Sequence, residues 1–190
     1  EYIDVTRLLT EDDFYRTDTH WRQEKIIDVA NHLMREMGND INGGNYTENT
    51  LSRPFYGVYS GQFGLPTPPD TIKYLTNNAI DSAIVTYYDT GVARAGDMYN
   101  MEKAKGKDPY EMFLSGTMPV VTLENINSDT ERELILFRDS YGSSIAPLLL
   151  SGYKKITLVD IRYIKSDFLG AFCEFDPDAD VLFLYSTTLF

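Results

Sequence analysis

The chain has 190 residues, 43% of them hydrophobic and 13% aromatic, with 17 basic against 29 acidic side chains and a net charge of −12. That length suits one domain with a sizeable core, and the apolar fraction argues against a disordered chain. The acidic balance argues against nucleic acid or an anionic membrane as partner, since both are held by basic patches.

A lone cysteine, Cys173, makes an intramolecular disulfide impossible, and its setting in AFCEF predicts a small buried hydrophobe. No apolar run reaches the roughly 18 residues of a membrane span. The sequence opens at Glu1 without a Met, so a signal segment can have been removed and its absence carries no information. Fourteen Tyr and ten Phe are many for this length; such rings fill cores and can also line a sugar site by stacking.

In chain order, Tyr2, Ile3 and Val5 predict a short strand, and Leu8 and Leu9 a turn of helix. From Gln23 the apolar positions Ile26, Ile27, Ala30, Leu33, Met34 and Met37 follow one helix face, with Gly38 as the stop. Thr17, Asp18 or Thr19 can cap its start. Asn39 to Pro69 is rich in Gly, Asn, Ser, Thr and Pro, with short strands expected around FYGVYSGQFG. Asn45-Tyr46-Thr47 fits a glycosylation sequon, a pattern common by chance. Ile72–Tyr74, Ala83–Tyr88 and Val120–Leu123 read as strands, and Tyr110, Phe113 and Leu114 stand at helical spacing between the last two. The stretch 40–123 is thus expected to form a β-rich lobe inserted in a single α/β domain spanning 1–190.

Leu134-Ile135-Leu136-Phe137 is a short apolar run of the kind buried on both faces of a parallel sheet. Small and polar residues follow, and Ser143 or Ser144 can cap a helix carrying Ile145, Leu148 and Leu149 with Pro147 in its first turn. Ile156–Val159 is the next strand, completing a βαβ unit. Tyr163–Phe172 is predicted helical, and Val181–Tyr185 a last buried strand. Strand, turn and helix in that order place Ser140 at the carboxyl edge of a sheet, where α/β folds bind ligands. Turn chemistry selects the same residues, so Asp139 and Ser140 also suit a plain turn.

A serine there needs a base in reach and a group to orient it. Of two histidines, His32 lies on the polar side of the predicted helix. His20 sits in Thr17-Asp18-Thr19-His20-Trp21, where positions i and i+2 of an extended segment point the same way. Asp18 could then accept a hydrogen bond from His20 Nδ1–H and leave Nε2 to take the proton of Ser140; the other reading makes Asp18 a helix cap and His20 idle. Zinc lacks a third clear ligand, and neither a P-loop nor a Gly-x-Gly-x-x-Gly follows a strand. No pair of carboxylates stands out for glycoside hydrolysis.

Asp-x-His-Trp before a long helix, with Asp-Ser-Tyr far downstream, resembles the SGNH-hydrolase-like proteins related to alginate O-acetylation, and among them the bacterial DHHW family named for its Asp-His-His-Trp motif. The resemblance runs through Thr17–Trp21, Gly61–Leu65, Tyr110–Pro119, Phe137–Pro147 and Val159–Tyr163. It implies a three-layer α/β/α sandwich with a mostly parallel sheet and a permuted motif order. It also implies Ser140 as nucleophile, His20 as base and Asp18 as the residue orienting it, with no metal and no cofactor. Tyr141, Arg162, Thr117 and Trp21 form the substrate and oxyanion set, with a salt bridge to Asp160 the competing role for Arg162. Thr19 replaces the second His of the namesake motif. Thr117 stands where the family pattern has an oxyanion Asn, and the loss of one such donor costs about 10²–10³ in rate. The backbone N–H groups of Ser140 and Tyr141 are then expected to take more of that load.

The resulting expectation is an O-acetyl esterase or O-acetyltransferase acting on an extracytoplasmic, secreted or cell-surface, glycan. The alternative is a catalytically inactive glycan-binding or assembly protein of the same fold. The sequence leaves sugar, acyl donor and oligomeric state open.

Overall fold

The computed structural model describes residues 1–40, 44–63, 66–89, 92–172 and 174–187. Cys173 and the Gly64-Leu65 part of the aromatic stretch therefore lie outside the described residues.

The entry segment forms 3-10 turns at Thr6–Leu8 and Glu11–Asp13 rather than the expected strand, and its Ile3, Val5, Leu8 and Leu9 pack on the main core. The predicted helix from Gln23 is split: a 3-10 turn at Gln23–Lys25, then helix α1 at Ile27–Glu36. The split has a tertiary cause. The Gln23 side chain, fully buried, donates to the Ser144 carbonyl at 2.7 Å and accepts from the Leu75 N–H at 2.8 Å. Those bonds fix the first turn independently of helix propensity. α1 buries Val29, Ala30, Leu33 and Met34, the stripe read from its periodicity, and Gly38 at φ +72° follows it.

Strand β1 (Thr47–Phe55), the short helix α2 (Val58–Phe63) and strand β2 (Asp70–Thr76) come next, with β1 and β2 forming a separate antiparallel pair. Helix α3 (Asn78–Asp81) is capped by Asn77, whose side chain accepts from the Ile80 N–H. Strands β3 (Ile84–Tyr88), β4 (Ala93–Gly96), β5 (Val120–Glu124) and β6 (Glu133–Arg138) lead to helix α4 (Tyr141–Leu149), then to β7 (Lys155–Val159) and β8 (Asp180–Leu184). They make one six-stranded sheet in the order β4-β3-β5-β7-β6-β8. Of the expected inserted lobe, β1 and β2 stand apart, whereas β3, β4 and β5 extend the main sheet.

The expectation of a mostly parallel sheet is corrected. Only β6–β7 and β6–β8 pair in parallel; β3–β4, β3–β5 and β5–β7 are antiparallel. An apolar run such as Val120–Leu123 reports burial on both faces and says nothing of direction. The short β3–β4 connection forces an antiparallel pair, whereas the crossovers from β6 through α4 to β7 and from β7 to β8 bring the chain back in the same direction.

The three-layer helical sandwich is corrected too. On one face Leu134, Leu136, Ile156, Leu158, Val121 and Leu123 join α1 and α4 in the main core. A fully buried Leu or Ile of this kind contributes roughly 1.5–3 kcal/mol. The other face is covered near Val120 and Val159 by Leu169, from a 3-10 segment at Ser166–Ala171 where a helix over Tyr163–Phe172 was expected. On β8, an edge strand among the described residues, Val181 and Phe183 are exposed, and Phe183 stacks on Phe137 at 4.7 Å.

Candidate functional site

Ser140 stands two residues past the end of β6, as the residue preceding α4, with ordinary helical angles of φ −62° and ψ −23°. The helix therefore starts three or four residues earlier than a Ser143 or Ser144 cap implies, and Pro147 falls in its last turn. Proline there removes the N–H that would reach the Ser143 carbonyl. The turn is built by Asp139, fixed at both oxygens: Oδ1 accepts the Tyr141 N–H at 2.9 Å and Oδ2 the Ser186 N–H at 2.7 Å. Beneath it lies Arg138, fully buried, whose guanidinium donates to the Asp139 carbonyl and to Ser143 Oγ. Gly142 makes room for that side chain: a Cβ at Gly142 would stand 2.5 Å from Arg138 Cβ.

His20 arrives from the opposite end of the sequence. Phe14 and Trp21 pair as an isolated antiparallel bridge, and the loop between them carries residues 15–20. Within that loop Asp18 Oδ1 accepts both the His20 backbone N–H at 3.0 Å and His20 Nδ1 at 2.5 Å. His20 Nε2 lies 2.7 Å from Ser140 Oγ. A carboxylate is an acceptor only, so the proton sits on Nδ1 and Nε2 is left to accept from the serine hydroxyl. Asp18, His20 and Ser140 thus form one hydrogen-bonded chain across 120 residues of sequence.

The loop is pinned from outside. Asp18 Oδ2 accepts the Val58 N–H at 3.0 Å, and the Thr17 N–H and hydroxyl both donate to Asp70 Oδ2, at 2.8 and 2.7 Å. Burial acts to raise the Asp18 carboxyl, but the His20 ring and the Val58 and His20 N–H groups outweigh it and hold the group below its ordinary range. Tyr110 stacks on the His20 ring at 3.9 Å, and Tyr141 is tilted against it at 5.1 Å. Burial pushes both phenols up, so both are neutral hydrogen-bond donors at ordinary pH.

The other sequence-derived candidates fall elsewhere. The Tyr141 N–H is already taken by Asp139, and its hydroxyl donates to the Thr19 carbonyl at 2.5 Å. That differs from its expected oxyanion role, because a turn sharp enough to expose Ser140 uses the following N–H to close itself. The Ser140 N–H has no hydrogen-bond partner among the described residues. Trp21 is 5% exposed, donates from Nε1 to Ser144 Oγ at 2.9 Å and packs edge-on against Tyr141. It therefore supports the loop from within; with Tyr141 it also lines a groove of about 950 Å³ bordered by Ile3, Leu33 and Leu182. Arg162 is held by Asp160 through Nε at 2.8 Å and Nη2 at 2.7 Å, the competing role read for it. Thr117 is exposed, just past three residues with positive φ, Leu114, Ser115 and Gly116. Among the described residues no three His, Cys, Asp or Glu side chains gather as metal ligands.

Sequence reasoning named Asp139 as a turn residue but missed Gly57 and Asp70, and missed the roles of Tyr110 under the imidazole and of Ser144 as an acceptor. Only Asp108-Pro109, a cap residue followed by proline, marked the turn that presents Tyr110.

No family model matches the chain, and no curated protein does. Solved structures do. A DHHW family protein from Eubacterium siraeum superposes with a TM-score of 0.70 at 23% identity over 92% of this chain and 59% of its own. Bacillus cereus PatB1 carrying a sulfonyl adduct gives 0.70 at 20% identity over 94% and 62%, and PatB1 alone 0.69 at 19% over 94% and 63%. At these identities the likeness establishes the fold, and the chain spans about three fifths of the length of those proteins.

Proposed function

We propose that this chain carries SGNH-type acyl-ester chemistry on an extracytoplasmic glycan, as an O-acetyl esterase or O-acetyltransferase. The observation that carries the reading is the 2.7 Å contact between Ser140 Oγ and His20 Nε2, with Asp18 holding the far side of the ring. A serine hydroxyl is a weak nucleophile until a base accepts its proton in a fixed geometry, and all three groups stand in place.

The hydroxyl proton passes to Nε2 as Oγ bonds to the acyl carbonyl carbon, and the carbonyl electron pair moves onto its oxygen. Asp18 keeps the ring in the productive tautomer and stabilises the imidazolium. Collapse of the tetrahedral species expels the sugar oxygen, which takes the proton back from Nε2. Water or a second sugar hydroxyl then attacks the acyl-serine, giving its proton to Nε2 of His20, and the acyl–Oγ bond breaks as Ser140 Oγ recovers that proton. The Ser140 N–H, without a partner among the described residues, is the backbone donor we assign to the oxyanion. The family resemblance in the Asp-x-His-Trp and Asp-Ser-Tyr blocks supports the glycan class and the extracytoplasmic setting. Among the described residues no helix is long and apolar enough to cross a membrane.

A second reading has specific support. Thr117 replaces the expected Asn, and the Tyr141 N–H is engaged, so the oxyanion side is thin. A glycan-binding or assembly protein that keeps the fold without turnover would show this pattern. Release of 4-nitrophenol from 4-nitrophenyl acetate separates the two. Turnover that Ser140→Ala and His20→Ala each abolish, together with a mass gain at Ser140 from a sulfonyl fluoride, supports the enzyme. Equal background release from all three proteins supports the binding reading.

A further inference from the structure

The His20 imidazole lies flat on the Tyr110 ring, centroids 3.9 Å apart and planes 16° from parallel. Tyr110 is 4% exposed and is fixed from several sides. Its backbone N–H is capped by Asp108 Oδ1 at 3.0 Å, with Pro109 setting φ at the first position of the turn. Its hydroxyl donates to Ser144 Oγ at 2.8 Å, and the same oxygen accepts Trp21 Nε1 at 2.9 Å. Tyr15 and Phe113 close its remaining sides at centroid distances of 6.3 and 5.0 Å.

Ser144 is one helical turn beyond Ser140 on α4. The support under the imidazole is therefore bolted to the same rigid element that presents the hydroxyl. The hydrogen bond to Asp18 restrains the ring at Nδ1 alone, and rotation about that contact would swing Nε2 away from Ser140. A flat aromatic contact removes this freedom. Asp18 is hydrogen-bonded to the imidazole, and Asp108 stands close enough to interact with it electrostatically. The face covered by Tyr110 is instead a neutral π surface, which favours a cation over a neutral ring.

We propose that Tyr110 is a positioning residue for His20: its ring fixes the imidazole plane with Nε2 aimed at Ser140, and its π face supports the imidazolium formed when Nε2 takes the serine proton. The inference rests on the acyl-transfer reading for its kinetic consequences, but the stacking can be measured without turnover.

The test joins two measurements on the full chain. In 4-nitrophenyl acetate kinetics, Tyr110→Phe keeps kcat within about fivefold of the original, since only the bond to Ser144 is lost. Tyr110→Leu lowers kcat roughly 10- to 100-fold with KM nearly unchanged, as the ring loses its plane. Phenylalanines with one, two and three fluorines at position 110 keep the shape and weaken the π face, so kcat falls stepwise along the series. If the leucine variant does not fold, that series carries the kinetic test. In NMR spectra, with His32→Asn leaving one histidine, the His20 ring protons are displaced upfield by the Tyr110 ring and stay so in Tyr110→Phe. A flat fluorine series, or ring protons at ordinary positions in the starting protein, overturns the proposal. Upfield ring protons without turnover in any variant would sink the acyl-transfer reading and leave the positioning role standing.

Discussion

Gly57 packs against Asp18 so tightly that a Cβ at Gly57 would lie 2.3 Å from Asp18 Cβ and 2.5 Å from its Oδ2. The turn after β1 thereby acts as the wall behind the carboxylate, with the Val58 N–H as its one polar contact. Asp18 cannot retreat from His20 without striking this wall.

Gly57→Ala is accordingly expected to push Asp18 out of register. Backbone and a buried side chain flank the site, so the strain is not relieved by a rotamer change. A loss of about 1–3 kcal/mol in urea unfolding is expected, and under the proposed function kcat for 4-nitrophenyl acetate falls by the ~10²-fold that a 1 Å misplacement can cost. An alanine variant with unaltered kcat would show that the wall does not set the carboxylate's position.

Asp18 also links the site to acid stability. Its carboxyl is held below its ordinary range by His20 and the two backbone N–H groups, with burial acting against them. A group depressed in the folded state contributes stability above its unfolded value, about 3.9, and loses that contribution as pH falls through the folded value. Urea midpoints measured between pH 5 and pH 2 are expected to drop more steeply for the starting protein than for Asp18→Asn. At neutral pH the asparagine holds the wrong tautomer, and kcat is expected to fall by up to ~10⁴-fold.

The triad candidates were legible because each lies in a locally readable setting. The run Leu134–Phe137 followed by Arg138-Asp139-Ser140 announces a strand end, and an i, i+2 pair in a loop announces that Asp18 and His20 share a side. The supports were not legible. Gly57, Asp70, Tyr110 and Ser144 meet the Thr17–Trp21 loop only after β1, β2 and α4 have been brought together, and although Asp108-Pro109 marks a turn before Tyr110, nothing local says what these residues pack on. The strand directions were misread for a related reason: apolar runs encode burial, while direction is set by the connections. The long periodic helix broke at Ile26 because bonds from Gln23 to Ser144 and Leu75 outweigh its propensity.

Arg162 offers a separate test of how the sheet edge is used. Two charge-assisted bonds tie it to the fully buried Asp160, with Arg138 the only other cation within 4.0 Å of that carboxylate among the described residues. Arg162→Ala removes both guanidinium bonds and leaves Asp160 with the backbone N–H of residue 162, at 3.2 Å, and the more distant Arg138. A stability loss of roughly 1.5–3 kcal/mol is expected from the charged hydrogen bonds removed, read as a lower melting temperature, while KM for 4-nitrophenyl acetate stays unchanged. A raised KM at unchanged stability would instead place the guanidinium against substrate.

Ser144 is a fully buried hydroxyl that accepts from two donors on two different segments, Trp21 Nε1 and the Tyr110 hydroxyl. Ser144→Ala removes little volume but leaves both donors in an apolar interior with no acceptor. Each buried unsatisfied donor costs about 1–3 kcal/mol, so the variant is expected to lose more stability than a Ser-to-Ala change at an exposed helix position. Tyr110→Phe removes one of the stranded donors, and combining it with Ser144→Ala should return part of that loss. A double-mutant cycle in urea measures the coupling. Strict additivity would mean that the Tyr110 hydroxyl and Ser144 do not share a bond in solution, and the link between the imidazole's support and α4 would be broken.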